Sequence, residues 1–431
     1  MIRNFSFPLR GLLRSLRFFS YALFVPRKVD VIFSYPATFN RNIDKENELI
    51  LPFLQICKEN NLTYLVFEES DLGGAFSEEL FSSEAIPLTL ISLIEAVYRK
   101  FYILISFNRD ASKKIDKKIN TALSRLFFRR VSANTVITMI CHKVGLWRAC
   151  FPDSQIYDYQ HGIIFDGDWG YLLDGQPPSF RIENQVQTLT YGPMISNILI
   201  SKDQTQFYNQ STVFAIGVEK YKSPAYPCSE NRPMKILFSM QDTLDGSHED
   251  LVTYNNKVKR FLDDTSHFFL KNNIELTARH HPRSISGKGI NFLDNYSFIR
   301  QSNQRVSLQS ELAEHHIHLT FNSSSSVEAA YLGMPTIFLE LDSPINGDFP
   351  HLSSSYVFFD QLQYPLKEFI THNKSEFLAL MSSLVSKGWS EHSSAILRWK
   401  DLLHINFDKT LALKILNPVQ EELRSEKNHL S

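Results

Sequence analysis

The sequence predicts an α/β protein made of two Rossmann-like domains that face a cleft, preceded by a basic amphipathic helix. Three observations lead to this fold class. Short β-type runs alternate with helical segments, and this alternation restarts after a proline-rich segment near the middle of the chain. The 431 residues also suffice for two domains of about 200 residues each. Strands that alternate with helices form parallel sheets covered by helices on both faces.

Composition limits the classes of function. Hydrophobic residues make up 43% of the chain, enough for two full cores, and the formal charge is −1. Global charge therefore indicates neither nucleic-acid binding nor a field for acidic substrates. The cysteines are scattered without a CxxC pair: Cys57, Cys141, Cys150 and Cys228. This pattern fits a reducing compartment and argues against a disulfide framework or a zinc knuckle.

The first 28 residues form a basic segment with no acidic residue. If residues 9–24 are helical, the leucines gather largely opposite a basic face made of Arg10, Arg14 and Arg17. This pattern is typical of a helix that lies in a membrane interface and is attracted by anionic lipid. An amphipathic helix packed on the fold is an equal alternative. The segment is too charged to span a bilayer, and it lacks the uninterrupted apolar core of a signal peptide.

The first Rossmann-like domain is predicted to cover residues 29–217. Its predicted strands are 29–34, 62–67, 135–140, 156–164, 187–192 and 212–217, and its predicted helices are 45–59, 141–150 and one that begins near 194. Residues 99–130 contain ten basic side chains and two acidic ones. A solvated helical face is the ordinary interpretation of this stretch, and a patch for lipid or an anionic acceptor is the alternative.

A linker at 218–234 separates this domain from the second one, predicted at 235–410 and followed by a tail at 411–431. The predicted strands of the second domain are 235–240, 274–278, 298–300, 318–321, 336–339 and 356–359. Its predicted helices are 249–272, 308–315, one that ends at Gly333, 365–371, 374–386 and 390–404.

The tripeptide Gln160-His161-Gly162 ends a predicted strand. Parallel-sheet domains bind ligands at the carboxyl ends of their strands, and a glycine there lets a substrate approach the backbone. His161 titrates near neutral pH and is a candidate general base. The alternative is a structural histidine hydrogen-bonded in a turn.

A compact basic turn follows the predicted strand at 274–278. It consists of Arg279, His280, His281, Pro282 and Arg283. Arginine makes bidentate contacts with phosphate, histidine can donate to a leaving phosphate, and proline fixes the turn. A chance basic turn is the alternative. The strand at 235–240 ends in a loop whose first residues, Gln241 and Asp242, are further candidates for the cleft.

A serine-rich turn joins a predicted strand to a helix that ends at Gly333. It comprises Asn322, Ser323, Ser324, Ser325 and Ser326, with Glu328 about one turn into the helix. Free backbone N–H groups and hydroxyls at such a position favour an anion. The carboxylate could accept hydrogen bonds from the hydroxyls of a sugar or ribose. The alternative is an ordinary N-cap serine with further serines in a loop.

Three histidines lie close together in sequence, His315, His316 and His318. They fall at a junction of helix and strand, so their side chains should diverge, and no carboxylate or cysteine stands at ligand spacing. No metal site is predicted.

These motifs, in this order on two Rossmann-like halves, resemble those of the glycosyltransferase-B superfamily. The chain looks most similar to bacterial capsule and surface-polysaccharide transferases, which include Kdo transferases and sialyltransferases. The resemblance implies that His281-Pro282 and Ser323-Ser324 hold the phosphate of a CMP-sugar, and that Glu328 contacts the ribose or sugar. His161 matches a His-Gly motif of teichoic-acid polymerases, where the histidine is the proposed base. The acidic motif of sialyltransferases has only a partial counterpart, Glu68-Glu69, which lacks the following glycine.

The resemblance implies a metal-independent glycosyltransferase, located in the cytoplasm and peripheral at the inner face of the cell membrane. Its expected substrates are a nucleotide-sugar donor, held by the second domain, and a surface-polysaccharide or lipid-linked glycan acceptor, held by the first. Contact with anionic membrane is expected, and nucleic acid is not. The alternatives are a CDP-polyol phosphotransferase of teichoic-acid type, a sugar-nucleotide 2-epimerase and a non-catalytic scaffold of polysaccharide assembly.

Overall fold

The computed structural model describes most of the chain. The described residues are 9–40, 46–69, 81–106, 112–162, 164, 170–219, 234–240, 248–280, 291–303, 306–321, 323, 325–339 and 363–418.

The first part of the chain forms a parallel sheet. Its strands are β1 (Arg27–Pro36), β2 (Tyr64–Glu69), β3 (Ile86–Pro87), β4 (Val131–Met139), β5 (Gln155–Tyr159), β6 (Val186–Thr190) and β7 (Val213–Ala215). They pair in the order β3-β2-β1-β4-β5-β6-β7, each parallel to its neighbours. The helices of this part are α1 (Leu9–Ala22), α2 (Leu51–Glu59), α3 (Thr89–Ser106), α4 (Ser112–Phe127), α5 (Val144–Cys150), α6 (Ser179–Glu183) and α7 (Pro193–Lys202).

A second parallel sheet follows. Its strands are β8 (Lys235–Ser239), β9 (Glu275–Arg279), β10 (Ile299–Gln301), β11 (Ile317–Thr320), β12 (Thr336–Leu339) and β13 (Ile370–Thr371), in the order β10-β9-β8-β11-β12-β13. The helices of this part are α8 (His248–Lys271), α9 (Leu308–Leu312), α10 (Ser325–Tyr331), α11 (Lys374–Lys387), α12 (Ser393–Leu403) and α13 (Lys409–Leu416). Both sheets therefore have the strand order of a Rossmann fold, and the predicted fold class is confirmed.

The strand order reverses at one place in each sheet, between β1 and β4 and between β8 and β11. Chain connections leave these strand pairs in opposite directions, so a crevice opens at their carboxyl ends. In the second sheet Thr320 and Ser239 are register partners at this edge. The residues that follow β8 and β11 are consequently neighbours in space.

The chain returns to the first sheet near its C-terminus. Helix α13 packs there, and the Thr135 hydroxyl donates to the Ile415 carbonyl at 3.0 Å. The returning backbone passes so close that a Cβ on Gly192 would lie 2.3 Å from the Leu403 carbonyl oxygen. Residues 411–416, predicted to belong to a tail, are instead part of a packed helix because Ala412 and Leu416 are apolar and fully buried.

Helix α1 packs on the fold, which was one of the two alternatives predicted for it. Its small side chains face inward: Ser15 is fully buried, and a Cβ on Gly11 would lie 3.0 Å from Thr89 Oγ1. The Arg14 guanidinium turns inward and donates to the carbonyls of Ser82 and Ser83, both at 3.0 Å. Across the ranges given above, no helix combines the length and the apolar character needed to cross a membrane.

The predicted elements agree with the structure in most places, and the differences have local causes. The prediction of a helix at 365–371 is wrong, because a 3₁₀ turn at Lys367–Phe369 leads directly into edge strand β13. Strand β3 was not predicted, since two residues at a sheet edge carry no periodic pattern. The strand predicted at 356–359, and most of the linker predicted at 218–234, lie outside the described residues.

A buried ion pair fixes the carboxyl end of β5, immediately before Gln160. Arg181 donates to the Asp158 carboxylate at 2.5 Å, and both side chains are almost completely excluded from solvent. The guanidinium also donates to the Gly170 carbonyl and the Thr188 hydroxyl, and it lies 3.9 Å from the centre of the Tyr171 ring. Removing one partner of such a pair leaves an uncompensated buried charge.

We therefore expect Arg181→Met to lower the free energy of unfolding by about 3–5 kcal/mol, measured by denaturant titration. Lys259→Met is the matched control, because Lys259 pairs with Asp263 at 2.6 Å while both side chains remain about half exposed. That substitution should change the free energy by at most about 1 kcal/mol. Equal effects of the two substitutions would contradict the structural role given to the buried pair.

Candidate functional site

A cavity of about 160 Å³ lies between the carboxyl edges of the two sheets. The first sheet and its loops contribute Phe39, Asn47, Glu48, Leu49, His161, Gly162, Tyr191 and Val218. The second contributes Ser239, Met240, Arg279, His280, Ser307, Leu308, Gln309, Ser323, Ser325, Val327, Glu328 and Tyr331, and His404 lines the cavity from the returning chain. The cavity thus adjoins the reversal point of the second sheet.

His161 lies in a turn at the end of β5. Gly162 adopts a φ of 84°, which side-chain-bearing residues rarely adopt, and so permits this turn. The buried Gln160 side chain donates to the Gly162 carbonyl at 2.6 Å and accepts from the Tyr191 N–H at 2.7 Å. Gln160 therefore stabilises the turn through hydrogen bonds and does not line the cavity. The His161 ring does line the cavity, and its centre lies 4.1 Å from that of the Phe39 ring.

Arg279 and His280 reach the cavity from the end of β9. The Arg279 side chain is buried, and it forms an ion pair with the Glu311 carboxylate. It also donates to the Ser302 hydroxyl at 3.3 Å and to the Val306 carbonyl at 3.0 Å. The arginine that was predicted to bind phosphate is thus already held by the protein on one side, and this pairing fixes its position at the cavity.

Of the predicted serine turn, the structure describes Ser323, Ser325 and Ser326. Ser323 and Ser325 line the cavity together with Glu328, which lies one turn further along helix α10. Ser323 Oγ accepts from both the hydroxyl and the N–H of Ser325, at 2.8 and 3.2 Å. Ser326, predicted with them, is fully buried and does not line the cavity, because the next helical position points to another side.

Several predicted site residues cannot be compared with the structure. Outside the described residues lie Gln241, Asp242, His281, Pro282, Arg283, Asn322 and Ser324.

Much of the cavity wall carries no sequence motif and was not predicted, including Ser239, Met240 and His404. Ser239 is the last residue of β8 and Met240 follows it, and Ser239 pairs in register with Thr320, three residues before Ser323. His404 lies where the returning chain passes the cavity; its Nε2 hydrogen-bonds to the Val327 carbonyl at 3.1 Å, and its ring stacks against Tyr191. Burial lowers the pKa of His404 to about 4, so this imidazole is neutral at physiological pH. Only the folded chain brings these residues to the site.

The acidic pair Glu68-Glu69 lies at the carboxyl end of β2, away from the cavity lining. Burial raises the pKa of Glu68 to about 7, while its carboxylate accepts from the Tyr35 hydroxyl and the Ser82 N–H. Burial alone would also raise the pKa of Glu69, but its hydrogen bond and ion pairs with His142 and Lys143 lower it. These carboxyls therefore belong to an internal polar network of the first domain.

The three clustered histidines diverge as expected from their position. His315 bonds to the Glu311 carbonyl and the Thr277 hydroxyl, His316 accepts from the Lys235 N–H, and His318 bonds to hydroxyls on the two neighbouring strands. In the part of the chain that the structure describes, no group of three His, Cys, Asp or Glu side chains could hold a metal ion.

Comparisons with known proteins identify the fold. No family model and no curated protein matches the chain. Among solved structures, a putative UDP-N-acetylglucosamine 2-epimerase from Listeria monocytogenes is 12% identical, with a TM-score of 0.54 over 91% of this chain and 97% of that one. The Neisseria meningitidis UDP-GlcNAc 2-epimerase bound to UDP-GlcNAc is 11% identical, with a TM-score of 0.51 over 91% and 100%. The wall teichoic acid polymerase TagF, soaked with CDPG, is 8% identical, with a TM-score of 0.52 over 98% and 99%.

At these identities the similarity establishes architecture alone. The chain has the glycosyltransferase-B fold, in which two Rossmann-like domains face one cleft.

Proposed function

We propose that the protein is a glycosyltransferase that moves a sugar from a nucleotide-sugar donor, with a CMP-sugar favoured, to a surface-polysaccharide or lipid-linked glycan acceptor. The observation that carries the proposal is the cavity itself. Hydroxyl and cationic groups of the second sheet, Ser239, Ser323 and Arg279, face an imidazole of the first sheet, His161, across it. A glycosyl transfer needs one set of groups for a phosphate and another for an acceptor hydroxyl.

In this reaction the acceptor hydroxyl attacks the anomeric carbon while His161 takes its proton. The bond between that carbon and the phosphate oxygen breaks, and the nucleotide leaves with the electron pair. Negative charge grows on the leaving phosphate, where the hydroxyls of Ser239 and Ser323 and the fixed Arg279 would donate hydrogen bonds. No metal ion is needed if these donors stabilise the phosphate, and Glu328 is placed at the same wall to accept from ribose or sugar hydroxyls.

A CDP-polyol phosphotransferase is the second candidate, because TagF, with a TM-score of 0.52, covers almost the whole chain. In that reaction the acceptor hydroxyl attacks the phosphorus that bears the polyol, and CMP leaves. The same base and phosphate donors would serve it. The mass of the product separates the two reactions, and conversion of a nucleotide sugar without any acceptor would identify a 2-epimerase.

We also propose that the protein contacts the inner face of the cell membrane through helix α1. The inner side of α1 is packed on the fold, but its outer side exposes Leu13 and Leu16, and Phe24, two residues after the helix, is 75% exposed. Arg17 and Lys28 are exposed in the same region. Apolar side chains flanked by cations are suited to an anionic lipid surface, where a lipid-linked acceptor would be found.

Nucleotide binding is tested by thermal unfolding of the full chain with CMP, CDP, UDP and GDP. A nucleotide at about 100 times its Kd stabilises the folded state by roughly 2.7 kcal/mol, and we expect one class of nucleotide to do so. Ser323→Ala should reduce this stabilisation, whereas the control Ser326→Ala should keep it because Ser326 does not line the cavity. His161→Ala should retain nucleotide binding and lose transfer by about 100-fold or more.

The nucleotide that stabilises the chain also names the donor class. CMP indicates a Kdo- or sialic-type sugar, CDP a polyol phosphate, and UDP or GDP a hexose. Stabilisation by none of the four would contradict the proposal and favour a non-catalytic scaffold.

Membrane contact is tested by sedimentation with vesicles of phosphatidylglycerol and of phosphatidylcholine. Leu13→Glu should weaken binding to the anionic vesicles by about tenfold or more, because it replaces apolar contact with a repelled charge. Leu270→Glu on helix α8 is the matched control, since Leu13 and Leu270 are 57% and 56% exposed. Equal loss with the two variants, or equal binding to both lipids, would rule out this role for α1.

A further inference from the structure

His318 lies within strand β11, is completely buried and does not line the cavity. Its Nδ1 lies 3.0 Å from the Thr336 hydroxyl on the neighbouring strand β12. Its Nε2 lies 2.9 Å from the Ser239 hydroxyl and 3.0 Å from the Ser325 hydroxyl. A buried imidazole thus joins two separate parts of the cavity wall without touching the cavity.

The hydrogen-bond pattern fixes which nitrogen carries the proton. Burial lowers the pKa of His318 to about 3, so the ring is neutral and has one donor and one acceptor. Ser325 gives its single hydroxyl proton to Ser323 Oγ, at 2.8 Å, and so can only accept from the imidazole. The proton therefore resides on Nε2, and Nδ1 accepts from Thr336.

The same hydrogen-bond pattern determines which serine hydroxyl protons are available to the cavity. Ser323 Oγ accepts twice from Ser325, so its own proton is not used in these two hydrogen bonds and is available to the cavity that the residue lines. Ser239 Oγ accepts from the shared Nε2–H, which leaves its proton free to point the same way. Two hydroxyl protons are thus available to the cavity, while the Ser325 proton is used internally.

We propose that His318 is a positioning residue that holds the hydroxyls of Ser323, Ser325 and Ser239 in the orientation that a phosphate requires. By donating from Nε2, it keeps Ser325 oriented toward Ser323, so that Ser323 and Ser239 donate to the phosphate of a bound nucleotide. The inference rests on the proposed nucleotide site. A residue outside the cavity would thus determine in which direction the ligand-binding hydroxyls point.

The proton position is tested by ¹⁵N NMR of the full chain labelled at histidine nitrogens. The His318 signals are those that disappear in His318→Gln. The expected spectrum shows a protonated Nε2 and an unprotonated Nδ1 at neutral pH. A protonated Nδ1, or two protonated nitrogens, would overturn the inference whatever the protein binds.

The effect on the phosphate site is tested with inorganic pyrophosphate, titrated calorimetrically into folded variants. His318→Leu should weaken pyrophosphate binding by about tenfold or more, because the hydroxyls lose their fixed direction. His318→Gln places an amide N–H near the position of Nε2 and should stay within about threefold of the wild type. His315→Leu is the matched control: His315 is also buried and bonded twice, but to Glu311 and Thr277. It should destabilise the fold and leave pyrophosphate affinity unchanged.

A second pair of variants keeps the test decisive if His318→Leu does not fold. Thr336→Val removes the donor to Nδ1 while keeping the shape of the side chain, and Thr336→Ser keeps the hydroxyl. Thr336 is buried and does not line the cavity. Weaker pyrophosphate binding in Thr336→Val than in Thr336→Ser supports the inference. Equal affinity in wild type, His318→Leu and Thr336→Val overturns it and leaves the proposed nucleotide site standing, whereas no binding by the wild type overturns both.

Discussion

The reversal of strand order in two parallel sheets is the constraint on which the site depends. At each reversal the connections leave in opposite directions and open a crevice at the carboxyl ends of the strands. In the second sheet the edge formed by β8 and β11 brings Ser239 beside the serine turn, although about eighty residues separate them in sequence. The end of β5 supplies His161 from the opposite side. The polar groups of the cavity are therefore neighbours because of topology.

Buried hydrogen bonds hold these groups in place from behind. Gln160 braces the turn that carries His161, Glu311 holds the Arg279 guanidinium, and His318 links Ser239 with Ser325. None of these three bracing side chains lines the cavity. Donors fixed in this way do not reorganise when charge develops on a ligand, which is the main electrostatic advantage of a preorganised site.

The sequence predicted most strands correctly where local chemistry determines them. The run at 336–339 follows a Gly-x-Pro stop and is a strand as predicted, and Ser323 and Ser325 line the cavity because a strand end and a helix start meet there. His404 and Ser239 carry no local signal, since distant segments bring them to the site. For α1, amphipathicity predicted a helix, but only packing shows that Gly11 and Ser15 form its inner side.

We propose that a nucleotide binds at the carboxyl edge of the second sheet. Amide hydrogen exchange of the full chain, measured with and without the nucleotide that stabilises it most, tests this claim directly. Exchange reports the opening of each backbone segment, and a ligand slows it where it binds. A nucleotide bound there should slow exchange at residues 234–240 and 317–331. Slower exchange confined to the first sheet, or unchanged exchange at both of these segments, would contradict this proposal.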